Sequence, residues 1–252
     1  MMFSFSSGFA QRLVPEDDIK AIDEDIKSKG RQYPGKTIVL DGIIEPEKWY
    51  ASKCRILFVL KEAWGGDNQG VIDIRAERRK DTKIPTDGNG TYRPMVAIAN
   101  MLVKDLDDFN AISGSINSSE AWSVFKGCSA IMEIKKIYGG TESIDKNIRD
   151  HALVNAELLE KQVEVYNPNV VIIGVNNLLD GILVKDNKVF GDHINNDDVE
   201  YITIQGKKFK CYYTDNRIYI NAYHPQYGSF YIKEYCEEIV RVAREWMEDN
   251  EE

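Results

Sequence analysis

The sequence predicts an α/β fold with three layers, in which helices cover both faces of a central, mostly parallel four-stranded sheet. Four short runs rich in apolar and β-branched residues support this prediction, at residues 56–60, 128–134, 170–174 and 218–223. Each run is continuously apolar, as is typical of a strand that is covered on both faces. Segments with helical patterns separate the runs, which favours parallel strands joined by right-handed crossovers.

The helices are predicted in chain order around these strands. Pro15 and the acidic residues that follow it begin a first helix, which reaches about Lys29 and ends at Gly30, in keeping with the residue preferences of helix starts. Five further helical segments are predicted, at residues 94–106, 119–125, 147–166, 177–183 and 231–247.

A hairpin is also predicted at residues 199–214, with Gly206 and Lys207 at its turn, because apolar and polar residues alternate on both sides of the turn. It is expected at an edge of the sheet. No repeat or low-complexity linker divides the chain, so residues 1–252 are interpreted as one domain, with a frayed acidic end at residues 248–252.

The composition excludes several classes of protein. With 43% hydrophobic and 29% charged residues, the chain can bury a sizeable core without disulfides or metals. The four cysteines are far apart and form no C-x-x-C pair, so we expect reduced core thiols and no metal site.

We find neither a signal-peptide pattern nor an apolar run long enough to cross a membrane, and therefore expect a soluble, cytoplasmic protein without membrane contacts. The oligomeric state is left open.

The net charge of −9 disfavours a broad nucleic-acid surface, because binding to phosphates depends on Lys and Arg. One local exception is the basic run at residues 75–83, which contains Arg75, Arg78, Arg79, Lys80 and Lys83. The run is either a solvated surface loop or a segment that follows a phosphate backbone on the pocket side of the molecule.

Candidate functional residues follow the predicted strands, because ligands of open parallel sheets bind beyond the carboxyl ends of the strands. After the first strand, Glu62 offers a carboxylate, Trp64 offers a stacking face, and glycines allow a close approach of the backbone. After the fourth strand, His224 stands between Tyr223 and Pro225. The alternatives are an ordinary turn at the first position and a structural histidine at the second.

These two segments resemble the motifs of a known enzyme family. The run from Glu62 to Gly70, EAWGGDNQG, is similar to the first motif of the uracil-DNA glycosylase superfamily, in the branch with a Gly-Glu-Ala-Pro-Gly start. The run YHPQ around His224 resembles that superfamily's second motif, a His-Pro-Ser at the end of the last strand. The segment NPNVVIIG at residues 167–174 resembles the entry to its third strand.

The resemblance implies hydrolysis of the bond between a base and deoxyribose, after the nucleotide has been flipped out of the stack. It implies that Glu62 orients water and stabilises a cationic sugar, that His224 hydrogen-bonds the departing base, and that Trp64 packs against the base. It further implies a substrate site at the strand ends, to which we assign Lys61, Trp64, Gly65, Glu133, Asn176 and Tyr223. DNA or a nucleotide-like ligand is the expected partner. No cofactor is expected, since the cysteine spacing of the branch's iron–sulfur members is absent.

Three positions depart from the family pattern. Lys61 replaces a glycine and Trp64 replaces a proline in the first motif. Glu133 stands where members that read uracil carry an asparagine, and an ionised carboxylate only accepts hydrogen bonds, so it would repel the O4 oxygen of uracil. Glu133 is interpreted either as facing a base edge with two donors or as an ion-pair partner of Lys135 or Lys136.

Two other functions stay open on the sequence alone. One is a catalytically silent module that binds a nucleotide or a nucleic-acid end in the same pocket, which the acidic net charge and Glu133 favour. The other is an unrelated flavodoxin-like or nucleotide-binding α/β protein, for which the chain carries no G-x-G-x-x-G or Walker A loop.

Overall fold

The computed structural model describes residues 15–66, 70–86, 88–140, 143–183, 189–191, 200–228 and 231–250. Within these ranges the strands are β1 (Ile38–Leu40), β2 (Gly42–Ile43), β3 (Ile56–Trp64), β4 (Val71–Asp73), β5 (Ser129–Gly139), β6 (Val170–Ile173), β7 (Glu200–Ile204), β8 (Lys207–Thr214) and β9 (Arg217–Asn221). The helices are α1 (Glu16–Gly30), α2 (Pro46–Ala51), α3 (Ile74–Lys80), α4 (Asn89–Val103), α5 (Asn110–Ser113), α6 (Ser119–Cys128), α7 (Asp145–Val154), α8 (Ala156–Tyr166), α9 (Asp180–Leu183), α10 (Pro225–Gly228) and α11 (Ile232–Asp249).

The strands form one mixed sheet in the order β4-β1-β5-β3-β6-β9-β8-β7, with β2 also paired to β5. Its four central strands, β5, β3, β6 and β9, are parallel neighbours. They correspond to the four apolar runs of the sequence. Phe58 of β3 lies in register with Ile131 of β5 and with Ile172 of β6, so all carboxyl ends of these strands point to one edge.

The prediction of a four-stranded, mostly parallel sheet is wrong for the sheet as a whole. The described residues contain nine strands, and β1, β2, β7 and β8 make antiparallel pairs. Strands β1, β2 and β4 have only two or three residues each, which is too short for an apolar pattern to identify them. The predicted hairpin is present as β7 and β8, with its turn at Gln205 and Gly206, whereas Val199 lies outside the described residues.

Helices lie on both sides of the sheet, as predicted. Side chains of β3, β6 and β9 such as Phe58 pack on one face against α4, α6 and α11. The alternate side chains, such as Val59, pack on the other face against α1, α7 and α8. This burial on both faces is the reason that the central strands carry apolar residues at successive positions rather than at alternate ones.

Several helix boundaries differ from the prediction. The segment expected to be one helix at residues 147–166 is two helices, α7 and α8, which are divided at Asn155. The amide Nδ2 of Asn155 donates a hydrogen bond of 2.9 Å to the carbonyl of Ile134, so this side chain connects the junction of the two helices to β5. Helix α4 begins at Asn89, before Pro94, and α11 continues to Asp249.

All four cysteines are free and buried, as predicted. None of the described helices has the length and apolar character needed to span a bilayer.

Candidate functional site at the strand ends

The segment after β9 and Leu60 in the middle of β3 approach each other above Gly174, the residue that follows β6. A Cβ atom on Gly174 would lie 2.9 Å from Cδ of Pro225, 3.4 Å from Cδ2 of Leu60 and 3.5 Å from Cα of His224. The absence of a side chain at Gly174 therefore lets the segment of His224 pack close to β6 and to Leu60 of β3.

His224 is held by hydrogen bonds on both its backbone and its ring. Its backbone N–H donates to Oδ1 of Asn176 at 3.3 Å, and its ring Nδ1 accepts from the backbone N–H of Gln226 at 3.2 Å. Because Nδ1 acts as an acceptor, the neutral ring carries its proton on Nε2. Asn176 supports this arrangement from a left-handed backbone conformation, with φ of 59°.

Burial, and to a smaller extent the nearby Lys61 ammonium, lower the pKa of His224 to about 4. The imidazole is therefore neutral at pH 7, and its Nε2–H is a donor. Lys61 itself pairs with Asp145 at 2.9 Å, and 17% of its side chain is exposed. Lys61 and His224, both predicted from the sequence, thus lie close enough to interact electrostatically.

The Glu62 carboxylate is enclosed by residues of β5 and of the segment before α7. Its Oε2 accepts from Nζ of Lys135 at 2.5 Å, and its Oε1 accepts from Oγ of Ser143 at 2.6 Å. A Cβ atom on Gly139 would overlap the Glu62 carboxyl carbon, so this glycine makes room for the carboxylate. Only 5% of the Glu62 side chain is exposed. Among the described residues, no hydrogen bond or ion pair joins Glu62 to His224.

Glu133 is buried and is not the ion-pair partner that the sequence suggested. Lys135 binds Glu62, while Lys136 binds Asp41 at 2.7 Å. The Glu133 backbone N–H also donates to Asp41, but its side-chain Oε2 has no hydrogen-bond partner among the described residues. Burial, with the Asp41 charge as a second cause, raises the pKa of Glu133 to about 8. This pKa favours a neutral Glu133 carboxyl group near neutral pH, in place of the ionised carboxylate that the sequence suggests.

The aromatic candidates differ in their exposure. Trp64 ends β3 and is 73% exposed, so its ring is available for stacking. Tyr223 is half-buried between Phe209 and Tyr227, with ring centroids 4.7 Å from each. Gly65 has a structural explanation, because a Cβ atom there would overlap the ring of Tyr138. The later motif residues Asp67, Asn68 and Gln69 lie outside the described residues.

The basic run at residues 75–83 begins as helix α3, and its first arginine is buried in ion pairs. Arg75 is 5% exposed, donates two hydrogen bonds of 2.9 Å to Asp23, and also binds Asp73. These contacts favour a structural role for Arg75. Arg78 pairs with Asp81 and lies over the ring of Tyr92.

The expected position of this run on the pocket side is wrong for Arg79. Its guanidinium donates to the carbonyl of Ile44 at 2.9 Å, and the Ile44 N–H donates in turn to Ser129, where β5 begins. Arg79 is therefore at the amino ends of the central strands, away from His224. The sequence could not predict this, because β4 runs antiparallel to the central strands and carries α3 to the opposite end of the sheet. Lys80 and Lys83 are exposed, and their predicted phosphate contacts stay a prediction.

Lys135, Ser143 and Gln226 are parts of the site that the sequence does not predict. In the sequence, Lys135 stands out only as a possible ion-pair partner of Glu133, and Gln226 only as the residue after His-Pro. The contacts of these residues depend on tertiary packing, which a local sequence pattern does not predict. Among the described residues, no group of three or more His, Cys, Asp or Glu side chains is arranged to hold a metal ion.

Comparison with known proteins adds no family to this description. No protein-family model matches the chain, and no curated protein matches it either.

Proposed function

We propose that this chain is a DNA glycosylase-like protein, which hydrolyses the bond between a base and deoxyribose after base flipping. The observation that carries the proposal is the ring of His224, a neutral Nε2–H donor at the strand ends. The parallel neighbours β5, β3, β6 and β9 and the helices on both faces support a uracil-DNA glycosylase-like fold.

His224 acts on the departing base. As the glycosidic bond breaks, negative charge accumulates on the base, and a positioned donor stabilises that charge in the transition state. The Nε2–H of His224 is this donor. The neutral ring already carries a proton on Nε2 at pH 7, so it can donate without first being protonated. Trp64, with its exposed ring, packs against the extruded base.

Glu62 acts near the sugar as a carboxylate that two hydrogen bonds hold in place. Its oxygens accept hydrogen bonds from Lys135 and Ser143 and keep further lone pairs for a water molecule. A carboxylate fixed in this way stabilises an oxocarbenium-like sugar and orients the attacking water. Lys135 is then a positioning residue for Glu62.

Glu133 binds the base edge as a neutral carboxylic acid. A protonated carboxyl group has one donor and one acceptor, the same pair that an amide offers. With its pKa raised to about 8, Glu133 can face a base edge that combines an N–H with a carbonyl oxygen, as uracil does. The unpartnered Oε2 supports this role, since a buried polar atom without a partner costs free energy that a ligand could recover.

The test is base release by the purified protein from single- and double-stranded DNA that carries uracil, hypoxanthine, xanthine or alkylated bases. We expect release of at least one base, measured by chromatography of the free base. Glu62→Ala should abolish release, and Glu62→Gln should reduce it strongly, whereas the exposed Glu47→Gln is the matched control with unchanged release. If none of these substrates loses a base, the enzymatic proposal is wrong.

A second candidate function is a catalytically silent module that binds a nucleotide or nucleic acid in the same place. The enclosure of Glu62 by Lys135 and Ser143, with only 5% of its side chain exposed, favours it. Binding of a DNA oligonucleotide that weakens steeply with salt, without release of any base, would support this second function.

A further inference from the structure

The hairpin formed by β7 and β8 carries the turn at Gln205 and Gly206 to the same edge of the sheet as His224. Strand β8 runs antiparallel to β9, so its start at Lys207 lies near the end of β9. Two contacts locate the hairpin there. The Lys207 ammonium lies 5.1 Å from the ring centroid of Tyr223, the residue before His224. Nδ2 of Asn177, which follows β6, donates to the carbonyl of Lys208 at 3.3 Å.

An aromatic cluster continues from this lysine along the surface. Lys207 lies over Phe209 as well as over Tyr223, with a distance of 5.0 Å to the Phe209 ring centroid. The Tyr223 ring packs in turn against Tyr227 at 4.7 Å, and Tyr227 is 50% exposed. We name the group Lys207, Tyr223 and Tyr227 the hairpin surface. It combines an exposed cation with an accessible aromatic ring directly beside His224.

The charges around the hairpin leave Lys207 available to an anion. Lys210 is neutralised by Asp180 at 3.1 Å, and Glu234 accepts hydrogen bonds from Gln205 at the turn. Lys207 and Lys208 have no carboxylate partner among the described residues. Lys208 lies on the opposite face of the hairpin, where its ammonium is 5.8 Å from the ring centroid of Tyr201.

We infer that the hairpin surface binds single-stranded DNA next to the target nucleotide, with Lys207 on a phosphate and Tyr227 stacked on a base. This inference rests on the proposed function for its choice of DNA. Proteins that bind single strands combine cationic side chains for the backbone with aromatic side chains for the bases. Strands β3 and β8 are three positions apart in the sheet, or about 14 Å, and lie on opposite sides of β9, the strand that leads into His224.

The experiment measures binding of a fluorescent oligothymidylate by anisotropy over a series of salt concentrations. This probe carries no uracil or damaged base, so binding is measured without catalysis. We expect Lys207→Gln to reduce the slope of log affinity against log salt by about 0.7, the value for one phosphate contact on a single strand. Tyr227→Leu should weaken binding about fivefold or more at every salt concentration.

The matched control is Lys208→Gln, which makes the same charge change on the other face of the hairpin. We expect it to leave affinity and slope close to those of the unchanged protein. Equal losses in Lys207→Gln and Lys208→Gln, or no loss in either Lys207→Gln or Tyr227→Leu, overturn the inference. Thermal unfolding of each variant verifies that the fold is retained.

The outcome separates this inference from the proposed function. If the protein binds oligothymidylate through Lys207 and Tyr227 but releases no base from any substrate, the hairpin surface stands and the glycosylase proposal fails. If it releases a base and Lys207→Gln changes neither the affinity nor the KM, the glycosylase proposal stands and the hairpin surface is overturned.

Discussion

The backbone N–H of Gln226 donates a hydrogen bond to Nδ1 of His224 at 3.2 Å. Since the two residues are separated only by Pro225, the bond is local and preserves one tautomer of the imidazole. Any proton added to the ring at Nδ1 would place two donors against each other. The hydrogen bond therefore acts together with burial to keep His224 neutral.

We expect His224 to titrate near pH 4, far below an ordinary histidine, and to carry its proton on Nε2 above that pH. Lys61→Met should raise this pKa, because it removes a like charge, but should leave it below 6.5, because burial is the larger cause. Nitrogen NMR of the labelled imidazole measures both the pKa and the tautomer. His151 is the control, because Lys61 is not among the charges that shift its pKa. A pKa of 6.5 or a proton on Nδ1 would contradict the assignment.

The stability of the protein should fall as the pH rises through 8, partly because of Glu133. Its pKa is about 8 in the folded state against 4.5 as the ordinary value, so between these values only the folded chain holds the proton. The free energy of unfolding that this bound proton contributes is fully present below pH 4.5 and is lost as the pH rises through 8. The loss is no more than about 1.4 kcal/mol per pH unit.

Glu133→Gln removes this titration while retaining the shape of a neutral side chain. Urea unfolding of the variant at pH 5 and pH 9 should therefore show a smaller loss of stability with pH than in the unchanged protein. The exposed Glu47→Gln should leave the pH dependence as it was. Identical pH dependence in all three proteins would show that Glu133 is ionised when folded.

Gly174→Ala should displace His224 and destabilise the fold. The new methyl group would lie 2.9 Å from Cδ of Pro225 and 3.5 Å from Cα of His224, and such overpacking costs about 1–3 kcal/mol. We expect a lower midpoint of thermal unfolding and weaker base release. Gly181→Ala in α9 is the control, since its added Cβ meets no atom within 4 Å and should be neutral or slightly stabilising. Equal behaviour of the two variants would contradict the close approach above Gly174.

Lys136→Met should destabilise the protein by about 3–5 kcal/mol in chemical unfolding, because it leaves the fully buried Asp41 without its cation. Changing Asp41→Asn in the same chain should restore part of that loss, since the uncompensated charge is then removed. The exposed pair of Lys146 and Asp150 provides the comparison. Lys146→Met should change the stability by less than about 1 kcal/mol, and an equal loss at both sites would contradict the burial of the Asp41 pair.

The central part of the fold was predictable because its signals are local. The runs that form β3, β5, β6 and β9 are mostly apolar and show no alternation with polar residues, and this pattern results directly from burial on both faces. The hairpin of β7 and β8 was predictable for the same kind of reason, as its alternation and its turn lie within one short segment. The position of His224 just after β9 followed from these elements. The expectation that Glu62 follows the first strand is wrong, because β3 continues to Trp64 and includes Glu62.

The tertiary structure alone decided which charges meet. Glu62 and Lys135 are 73 residues apart in the chain, and Arg75 and Asp23 are 52 apart, so no local pattern could pair them. The same applies to the direction of β4, which determines that α3 carries Arg79 away from the strand ends. The sequence by itself determined the apolar strands and the residue types at their ends, because these depend on near neighbours. Distant segments determine the protonation of Glu133 and His224, the partners of Glu62 and the location of the basic run at residues 75–83. The packing of these segments sets the burial and the neighbouring charges.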